Sequence, residues 1–372
     1  MQKKVAVVIP IYKNKWEEKE KMALNQALSI LSKYDIIAVS PKSLILDESI
    51  FFKVERFEEL YFCSVKSYNR LMLSRDFYRC FYQYEYILIY QLDAFVFSDR
   101  LLYFCNLGYD YIGAPWLHGM FNYKDTEHAI WYVGNGGLSL RRVDSFIQII
   151  DKINRLDYNR IENEDLFFSS LISEHFHVAP MEVALKFAFE RQVKRCFKEN
   201  NYELPFGCHA WERYNVKFWK PYIEEYGFDL TKMDLRYGNE DVLREKEYVH
   251  WENISNIFTD KDRKKCVQNK LKQLLSGKEV IIWGAGFYGV SMAKWFQDIG
   301  LTISCFYDND FKLAGKKLKN ILILYPEDKV LSDDSYVIIA NYAYEYEIEQ
   351  QLLKSGMVKK ENCILFSQLS QL

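Results

Sequence analysis

Hydrophobic and polar positions in the first part of the chain predict short buried strands separated by amphipathic helices. Val5–Ile9 is a continuous apolar run closed by Pro10, and Tyr86–Tyr90 is a second such run. Between them, Glu17–Tyr34 carries apolar residues at helical spacing. Further strands are predicted at Ile36–Val39 and Tyr109–Ile112, and further helices at Phe62–Phe81 and in the aromatic run after Asp165. This alternation predicts an α/β domain with a mixed, largely parallel sheet that is covered by helices on both faces.

The carboxyl-terminal part of the chain predicts a second, smaller α/β domain. Asp260–Leu275 is highly charged but has an apolar stripe, which predicts a helical connector. Strands are predicted again at Lys278–Trp283, Ile303–Tyr307 and Tyr336–Ala340. We therefore expect a first domain at residues 1–255, the connector at 256–275, and the second domain at 276–372.

Composition excludes several classes of protein. The 372 residues are 49% hydrophobic and 27% charged, which is typical of globular chains and favours two domains. The net charge of −2 and the absence of a basic cluster argue against nucleic-acid binding. Eight cysteines without a CxxC pair argue against a zinc site or a disulfide framework. No apolar run reaches about 18 residues and Met1 leads directly into a strand, so we expect a cytoplasmic protein without a signal peptide.

Four segments of the first domain carry residues that could serve a nucleotide and a metal ion. They are Gln91-Leu92-Asp93 at a strand end, Val133–Arg142 with three glycines and a predicted helix start at Ser139, the acidic pair in Asn163-Glu164-Asp165, and Pro205–Trp211 around His209. A carboxylate at the carboxyl end of a central strand lies where ligands and metal ions bind in α/β sheets. Taken singly, each segment has an ordinary explanation: a solvated aspartate, a tight turn, a helix cap or a structural histidine.

Taken in order, and together with Asp110–Trp116 (DYIGAPW), these segments resemble a bacterial glycosyltransferase-like family long carried as a domain of unknown function. That family is similar in its logic to the GT-A nucleotide-sugar transferases, and the resemblance covers most of residues 1–215. It implies that Asp93 and His209 bind Mn²⁺ or Mg²⁺ and that Gln91 faces the ribose or the first ligand. The usual motif has aspartate at both ends, so Gln91 departs from it.

The resemblance also assigns roles around the donor and the acceptor. It implies that Asp165 is the general base of an inverting displacement, with Glu164 as the alternative. The turn with Gly136 and Gly137 would border donor and acceptor. The loop Pro10-Ile11-Tyr12 would hold the base and ribose, and Arg70 would contact the phosphates unless it forms only a surface ion pair.

The second domain contains a glycine pattern of its own. Val280–Gly289 (VIIWGAGFYG) is a predicted strand with Gly284, Gly286 and Gly289 in G-x-G-x-x-G spacing, and Asp308 follows the next predicted strand. This is the dinucleotide-binding fingerprint, but about 100 residues make only half of a full dinucleotide fold. The domain resembles Rossmann-like accessory domains of bacterial sugar-modifying and methyl-transferring enzymes. We therefore expect a structural, oligomerising or small-nucleotide role, through a second copy or a partner enzyme, and not NAD(P)-dependent redox chemistry.

The expected function is a metal-dependent, inverting glycosyltransferase. It would move a sugar from a nucleotide-sugar donor, expected to be a UDP-sugar, to a glycan, lipid-linked or protein-linked acceptor, in the cytoplasm or at the inner membrane face. Two alternatives stay open: an NAD(P)-dependent oxidoreductase or epimerase that uses the second domain, and a catalytically inactive glycan-binding scaffold.

Overall fold

The computed structural model describes residues 2–121, 130–152, 163–170, 176–232, 260–327, 331–340, 345–354, 356 and 359–372. The chain divides into two units, Met1–Leu117 with Trp131–Glu245 and His118–Ile130 with Lys246–Leu372. The predicted boundary at residue 255 lies outside the described residues, so the domain limits given above stay predictions. No helix among the described residues has the length and apolar character needed to cross a membrane.

A six-stranded sheet forms the centre of the first unit. The strands up to residue 208 are β1 (Lys3–Pro10), β2 (Asp35–Pro41), β3 (Lys53–Phe57), β4 (Tyr84–Tyr90), β5 (Phe95–Val96), β6 (Tyr111–Ile112), β7 (Ala114–Phe121), β8 (Ile130–Gly134), β9 (Leu138–Arg142), β10 (Ala188–Phe189) and β11 (Gly207–Cys208). The central sheet has the order β3-β2-β1-β4-β9-β6. Strands β3, β2, β1 and β4 are parallel, whereas β9 runs antiparallel to both of its neighbours.

Helices cover both faces of this sheet. They are α1 (Glu18–Ile30), α2 (Val65–Met72), α3 (Arg75–Arg79), α4 (Leu101–Asn106), α5 (Val143–Lys152), α6 (Glu164–Ser169), α7 (Met181–Phe187), α8 (Val193–Glu199), α9 (Trp211–Tyr214) and α10 (Val216–Glu224), with 3₁₀ turns at Glu48–Ile50, Glu59–Phe62 and Leu230–Lys232. Side chains alternate across β1: Val7 packs in a core with α1 and α4, and Val8 packs in a second core with α2, α3 and α5. The predicted α/β class with helices on both faces is confirmed.

Two local predictions in this unit are wrong. The predicted helix Phe62–Phe81 is two helices, because Ser64 caps α2 at its start and α3 begins anew after Ser74. The helix predicted to start at Ser139 is strand β9 instead. Because β9 lies between β4 and β6, both of its faces are buried, and even its polar residues Ser139 and Arg141 have no exposed surface.

A small three-stranded sheet brings distant segments of the first unit together. Its order is β10-β11-β5. Cys208 of β11 pairs with Phe95 of β5 in antiparallel register and with Phe189 of β10 in parallel register. The residue after β11, His209, therefore comes next to the residues before β5 and to Glu190, which follows β10.

The second unit is built on another six-stranded sheet. Its strands are β12 (Glu279–Trp283), β13 (Ile303–Tyr307), β14 (Lys317–Leu318), β15 (Ile321–Leu324), β16 (Ser335–Ile339) and β17 (Cys363–Leu365). Its helices are α11 (Lys261–Leu275), α12 (Phe287–Asp298) and α13 (Glu345–Lys354), with 3₁₀ turns at Phe311–Leu313, Lys360–Asn362 and Phe366–Gln371. The order is β14-β15-β13-β12-β16-β17, and only β14 is antiparallel to its neighbour. Without β14 this is the order 3-2-1-4-5, as in the first five strands of doubly wound dinucleotide-binding sheets.

Helix α11, which was predicted to be a connector, is also part of the core of the second unit. Its apolar stripe, which includes Val267 and Leu271, is buried in the core of the second unit together with Ile282 and Phe296. A second core on the other face of the sheet contains Ile348 of α13. The stripe found in the sequence therefore marks a helix that contributes to the core of the second unit.

Candidate active site

A cavity of about 650 Å³ lies in the first unit at the carboxyl ends of β1 and β4. This is the edge of an open α/β sheet where ligands bind, and the volume is in the range of small-molecule sites. Most of the predicted site residues line it: Pro10, Ile11, Tyr12, Gln91, Asp93, Gly136, Gly137, Glu164, Asp165 and His209. Arg70 does not line the cavity, although its neighbours Tyr68 and Asn69 on α2 do.

Strand pairing explains why the glycine turn comes to the end of β4. Because β9 is antiparallel to β4, its first residue, Leu138, pairs with the last residue of β4, Tyr90. The Gln91 N–H then donates to the Gly137 carbonyl at 2.8 Å. The turn before β9 is thereby held against the segment that carries Asp93.

The turn has no space for side chains at its two cavity positions. A Cβ atom on Gly137 would lie 2.0 Å from His209 Nε2, and one on Gly136 would lie 2.2 Å from Glu164 Oε1. Asn135 adopts a φ of 78° in this turn, and its Oδ1 accepts the Gly137 N–H at 2.7 Å. Glycine is thus required here by the protein's own side chains, which occupy the space that a Cβ would take.

His209 lies at the centre of the polar groups of the cavity. Its Nε2 is 3.1 Å from Asp93 Oδ1 and 3.3 Å from Gln91 Oε1. Its Nδ1 is 3.3 Å from Glu190 Oε1 and 3.0 Å from Asn135 Nδ2. Nε2 therefore faces Asp93, the other predicted metal ligand, and Gln91. Nδ1 faces the Glu190 carboxylate, which accepts from a protonated Nδ1, and the Asn135 amide N–H₂, which can donate only to an unprotonated Nδ1.

Charged neighbours set the direction of the pKa shifts of His209, Asp93 and Glu190, against the effect of burial. Burial alone would lower the pKa of the His209 imidazole, but the carboxylates of Asp93 and Glu190 raise it to about 10. Burial opposes ionisation of Asp93, yet the histidine cation keeps the pKa of that carboxyl below its usual value. Burial would likewise raise the pKa of Glu190, but the hydrogen bond to His209 and the charges of Arg191 and His209 lower it below its usual value. Two carboxylates and an imidazolium are therefore the charged forms at neutral pH.

The residues present fit a divalent cation. Ligand bonds of about 2.1 Å at right angles put neighbouring ligands about 3 Å apart, which matches the 3.1 Å between Asp93 Oδ1 and His209 Nε2. Asp93 Oδ1 is buried and makes no other hydrogen bond among the described residues. To bind a cation through Nε2, the imidazolium would release its Nε2 proton and keep the proton on Nδ1, where Glu190 accepts it.

Protein groups alone do not complete such a site. The described residues contain no group of three or more His, Cys, Asp or Glu side chains arranged to hold a metal ion. Gln91 Oε1, 3.3 Å from His209 Nε2, is a further oxygen at this place. Mg²⁺ and similar hard ions commonly take only one or two protein carboxylates and receive their other ligands from substrate phosphates and water.

The two residues of the acidic pair are held differently. Glu164 is buried and forms an ion pair with Arg141, whose Nη2 donates to Oε1 at 3.0 Å. Arg141 also donates to the Tyr78 hydroxyl at 2.9 Å and to Ser139 Oγ at 3.0 Å. Glu164 is therefore fixed by the buried hydrogen-bond network around Arg141.

Asp165 has no cationic hydrogen-bond partner among the described residues. Its Oδ1 accepts the N–H of the next residue, Leu166, at 2.8 Å. Burial first, and then the negative charge of Glu164, raise the pKa of the Asp165 carboxyl to about 7. A carboxylate with that pKa is suited to accept a proton near neutral pH.

Sequence analysis missed several charged residues of the cavity wall. Lys19 Nζ lies 2.7 Å from Glu212 Oε2, and Lys13 Nζ lies 2.9 Å from Glu20 Oε1. A signal for the two lysines was present: they lie in the loop after β1 and the first turn of α1, at the edge of the sheet where ligands bind. Glu190 and Glu212 gave no such signal, because the pairing of β10 and β11 brings them there.

The glycine pattern of the second unit serves close packing. Gly284 has a φ of 113°, and a Cβ on Gly289 would lie 1.7 Å from the Gly284 carbonyl oxygen. Asp308 Oδ2 accepts the Ala285 N–H at 2.8 Å, and its Oδ1 accepts the Asp310 N–H at 2.9 Å. Both oxygens expected on a ribose are thus bonded to backbone. At Gly286, by contrast, a Cβ would meet nothing within 4 Å.

Comparison with known proteins gives two family matches. Residues 51–209 match a family described as a protein of unknown function (DUF5672), and residues 276–364 match one described as C2185-like, N-terminal. The first match agrees with the predicted resemblance to a family of unknown function, and its description carries no activity. No curated protein matches the chain.

Solved structures with similar parts include glycosyltransferases. The galactosyltransferase LgtC, in complex with donor and acceptor sugar analogues, is 12% identical, with 59% of this chain and 95% of LgtC covered at a TM-score of 0.38. The glycosyltransferase GlyE of Streptococcus pneumoniae is 12% identical, with 97% and 92% covered at a TM-score of 0.36. A Rex-family repressor, RSP, is 19% identical, with 40% and 84% covered at a TM-score of 0.22.

Proposed function

We propose that the first unit is a glycosyltransferase that moves a sugar from a nucleotide-sugar donor to a glycan, lipid-linked or protein-linked acceptor. The observation that carries the proposal is the convergence of Asp93, His209 and Asp165 on one cavity at the carboxyl edge of the sheet. A metal-ligand pair and a carboxylate with a pKa of about 7 are the two chemical groups that such a transfer needs.

The charge of the cavity also supports a donor that binds together with a cation. Seven acidic residues line it, namely Glu17, Glu20, Asp93, Glu164, Asp165, Glu190 and Glu212, against two lysines, Lys13 and Lys19, and the His209 imidazolium. A nucleoside diphosphate is itself anionic, so it would be repelled from these walls without added positive charge. Asp93 and His209 would hold Mn²⁺ or Mg²⁺, with Gln91 beside them. When bound, the cation offsets the negative charge that develops on the departing diphosphate.

The protein's own residues would perform the remaining steps. Asp165 takes the proton of the acceptor hydroxyl, whose oxygen forms a bond to the anomeric carbon. The bond from that carbon to the diphosphate oxygen breaks, and the nucleoside diphosphate leaves with the electron pair. Lys19 lies on the cavity wall near Asp93, where it adds positive charge for the leaving group. Attack from the side opposite the leaving group inverts the anomeric centre.

The identity of the donor and the role of the second unit belong to the same proposal. A UDP-sugar donor, oligomerisation or partner binding through the second unit, and a cytoplasmic or membrane-peripheral location stay predictions. The chemistry of the cavity is compatible with any nucleoside diphosphate sugar.

Calorimetry with four nucleoside diphosphates tests the proposal. UDP, GDP, CDP and dTDP are titrated into the full chain with and without Mn²⁺. One of them should bind, and Mn²⁺ should increase its affinity at least about tenfold, as expected for an added charge contact to phosphate. Asp93→Asn should abolish that increase because it removes the charged ligand. Asp76→Asn is the matched control, since this carboxylate is 84% exposed and does not line the cavity.

Turnover can be measured before the acceptor is known. The corresponding nucleotide sugar should release nucleoside diphosphate slowly to water in the wild type. Binding of a diphosphate that is indifferent to both Mn²⁺ and Asp93 would contradict the metal-dependent transferase. Binding without any release would favour the scaffold.

A further inference from the structure

Two buried polar atoms on the cavity wall lack a hydrogen-bond partner. They are Glu164 Oε2 and the Tyr68 hydroxyl, neither of which has a partner in the described part of the chain. Buried polar atoms are nearly always paired, because leaving one unpaired costs the interaction it would have with water. Two such atoms on residues that line one cavity indicate a ligand that supplies their partners.

Glu164 can bind only a hydrogen-bond donor. Its Oε1 accepts a hydrogen bond from Arg141 Nη2 at 3.0 Å, and Arg141 has no exposed surface. This buried ion pair keeps the carboxylate ionised and fixes its orientation. Gly136 also lies close to Oε1, since a Cβ at this position would be only 2.2 Å from it. The free oxygen, Oε2, is therefore an acceptor held ready for an O–H or N–H group.

Tyr68 offers a neutral hydroxyl. Burial is the main cause that raises the pKa of this phenol, against the Gln91 side chain and the Arg141 charge, which lower it, so the hydroxyl stays protonated. A phenol can both donate and accept. The pair of a carboxylate and a phenol suits a neutral ring with several hydroxyl groups, whereas a phosphate would be repelled by Glu164.

We propose that Glu164 and Tyr68 form the subsite for the transferred sugar, which they bind through its ring hydroxyls. This inference rests on the proposed transferase function and adds to it the kind of donor: a sugar with free hydroxyl groups at the positions that face these two residues. Glu164 is then a binding residue, and Asp165 alone is the general base.

The experiment compares a nucleoside diphosphate with its sugar-linked form. UDP is paired with UDP-glucose and UDP-galactose, GDP with GDP-mannose, and dTDP with dTDP-glucose, all in the presence of Mn²⁺. Glu164→Gln and Tyr68→Phe should lower the affinity for the nucleotide sugar about 10- to 100-fold and leave that for the diphosphate within about twofold. Tyr86→Phe is the matched control, because its hydroxyl is also buried and unpaired but lies away from the cavity.

Thermal unfolding separates binding from folding. Glu164→Gln leaves Arg141 without its anionic partner and should lower the melting temperature. Tyr68→Phe removes only an unpaired hydroxyl, so it should keep or raise the melting temperature while it weakens sugar binding. A merely structural role for Tyr68 would instead lower the melting temperature and leave the affinity for the nucleotide sugar unchanged.

The outcomes also separate this inference from the function on which it rests. If the variants bind nucleotide sugar as well as the wild type does, or lose the diphosphate equally, the sugar subsite is wrong and the transferase stands. If the wild type binds none of these nucleotides, the proposed function itself fails, and the subsite fails with it.

Discussion

At the scale of single residues, the chemistry of the site depends on how differently two adjacent carboxylates are held. Glu164 forms an ion pair with the buried guanidinium of Arg141. Asp165 instead accepts only a backbone N–H and lies near the negative charges of Glu164 and Glu190. Burial and this repulsion separate the two residues in function. One is a fixed anion, and the other can change its protonation state near pH 7.

The raised pKa of Asp165 should make both stability and activity depend on pH in a particular way. Its folded-state pKa of about 7 lies above the ordinary value of 3.8, so its contribution to stability is lost as the pH rises through that interval. Asp165→Asn removes this loss. At each pH we compare the free energy of unfolding of the variant with that of the wild type. This difference, variant minus wild type, should be more positive at about pH 8 than at about pH 5 by about 1–3 kcal/mol. Urea denaturation at the two pH values measures this.

The same variant also tests the proposed general base. Wild-type release of nucleoside diphosphate should rise with pH and level off above about 7, and Asp165→Asn should lower the rate about 10²- to 10⁴-fold. A pH-independent difference in stability would show that Asp165 ionises normally. Activity retained in the variant would remove it from the mechanism.

Sequence reasoning could find residues of the site that lie at strand ends or in glycine turns, but not those brought in by side-chain networks. Asp93 was predicted because a carboxylate stands out at the end of an apolar strand, whereas the role of Asp165 was implied only by the resemblance to the glycosyltransferase-like family. Tyr68 was overlooked in favour of Arg70 two positions later, because helix α2 starts only at Val65 and its orientation could not be derived from spacing.

At the scale of elements, the antiparallel strand β9 and the turn before it decide the shape of the cavity. The turn carries no side chain toward His209, and Gln91 bonds to its backbone. The sequence predicted the turn from its glycines but assigned a helix to the residues after it. Ser139 and Arg141 made β9 unlike an apolar strand, because their polar groups are satisfied by a buried network that the sequence does not reveal.

Gly137→Ala tests the close approach of this turn to His209. A Cβ would lie 2.0 Å from His209 Nε2, so the ring would have to move away from Asp93. Mn²⁺-dependent affinity for the nucleoside diphosphate should fall at least about tenfold, and the free energy of unfolding should fall by about 1–3 kcal/mol. Calorimetry and urea denaturation measure the two effects.

A second glycine variant separates the loss of binding from the loss of stability. Gly108 has a φ of 80° and open space around it, so Gly108→Ala causes backbone strain without a collision. It should cost about 1–2 kcal/mol of stability and leave nucleotide affinity unchanged. Equal affinities for Gly137→Ala and the wild type would show that the turn does not fix the histidine.

At the scale of the whole molecule, two sheets of related strand order occur in one chain, and the acidic cavity described above lies at the first of them. The α/β class of both units could be predicted, because βαβ alternation and apolar strands are local properties of the sequence. The packing of α11 into the core of the second unit could not, because a charged helix with a narrow apolar stripe suits a connector equally well.

The second unit provides the test that separates a transferase from a nicotinamide enzyme. Because both oxygens of Asp308 are bonded to backbone N–H groups, we expect this carboxylate to stabilise the glycine loop and not to bind ribose. Asp308→Asn puts an amide N–H₂ against one of those donors. It should speed hydrogen exchange in Gly284–Gly289 and lower the stability of this unit by about 1–3 kcal/mol.

Hydrogen exchange of the full chain with and without NADH decides between the two functions. In the wild type, NADH should not slow exchange in Gly284–Gly289, and Asp308→Asn should bind nucleoside diphosphate as the wild type does, since the residues that line the cavity all belong to the first unit. Saturable protection of the loop by NADH that disappears in Asp308→Asn would instead place a dinucleotide on this unit. The hydrogen bonds between Asp308 and the backbone would then have to break for the ligand to bind. In that case the redox alternative would replace the accessory role.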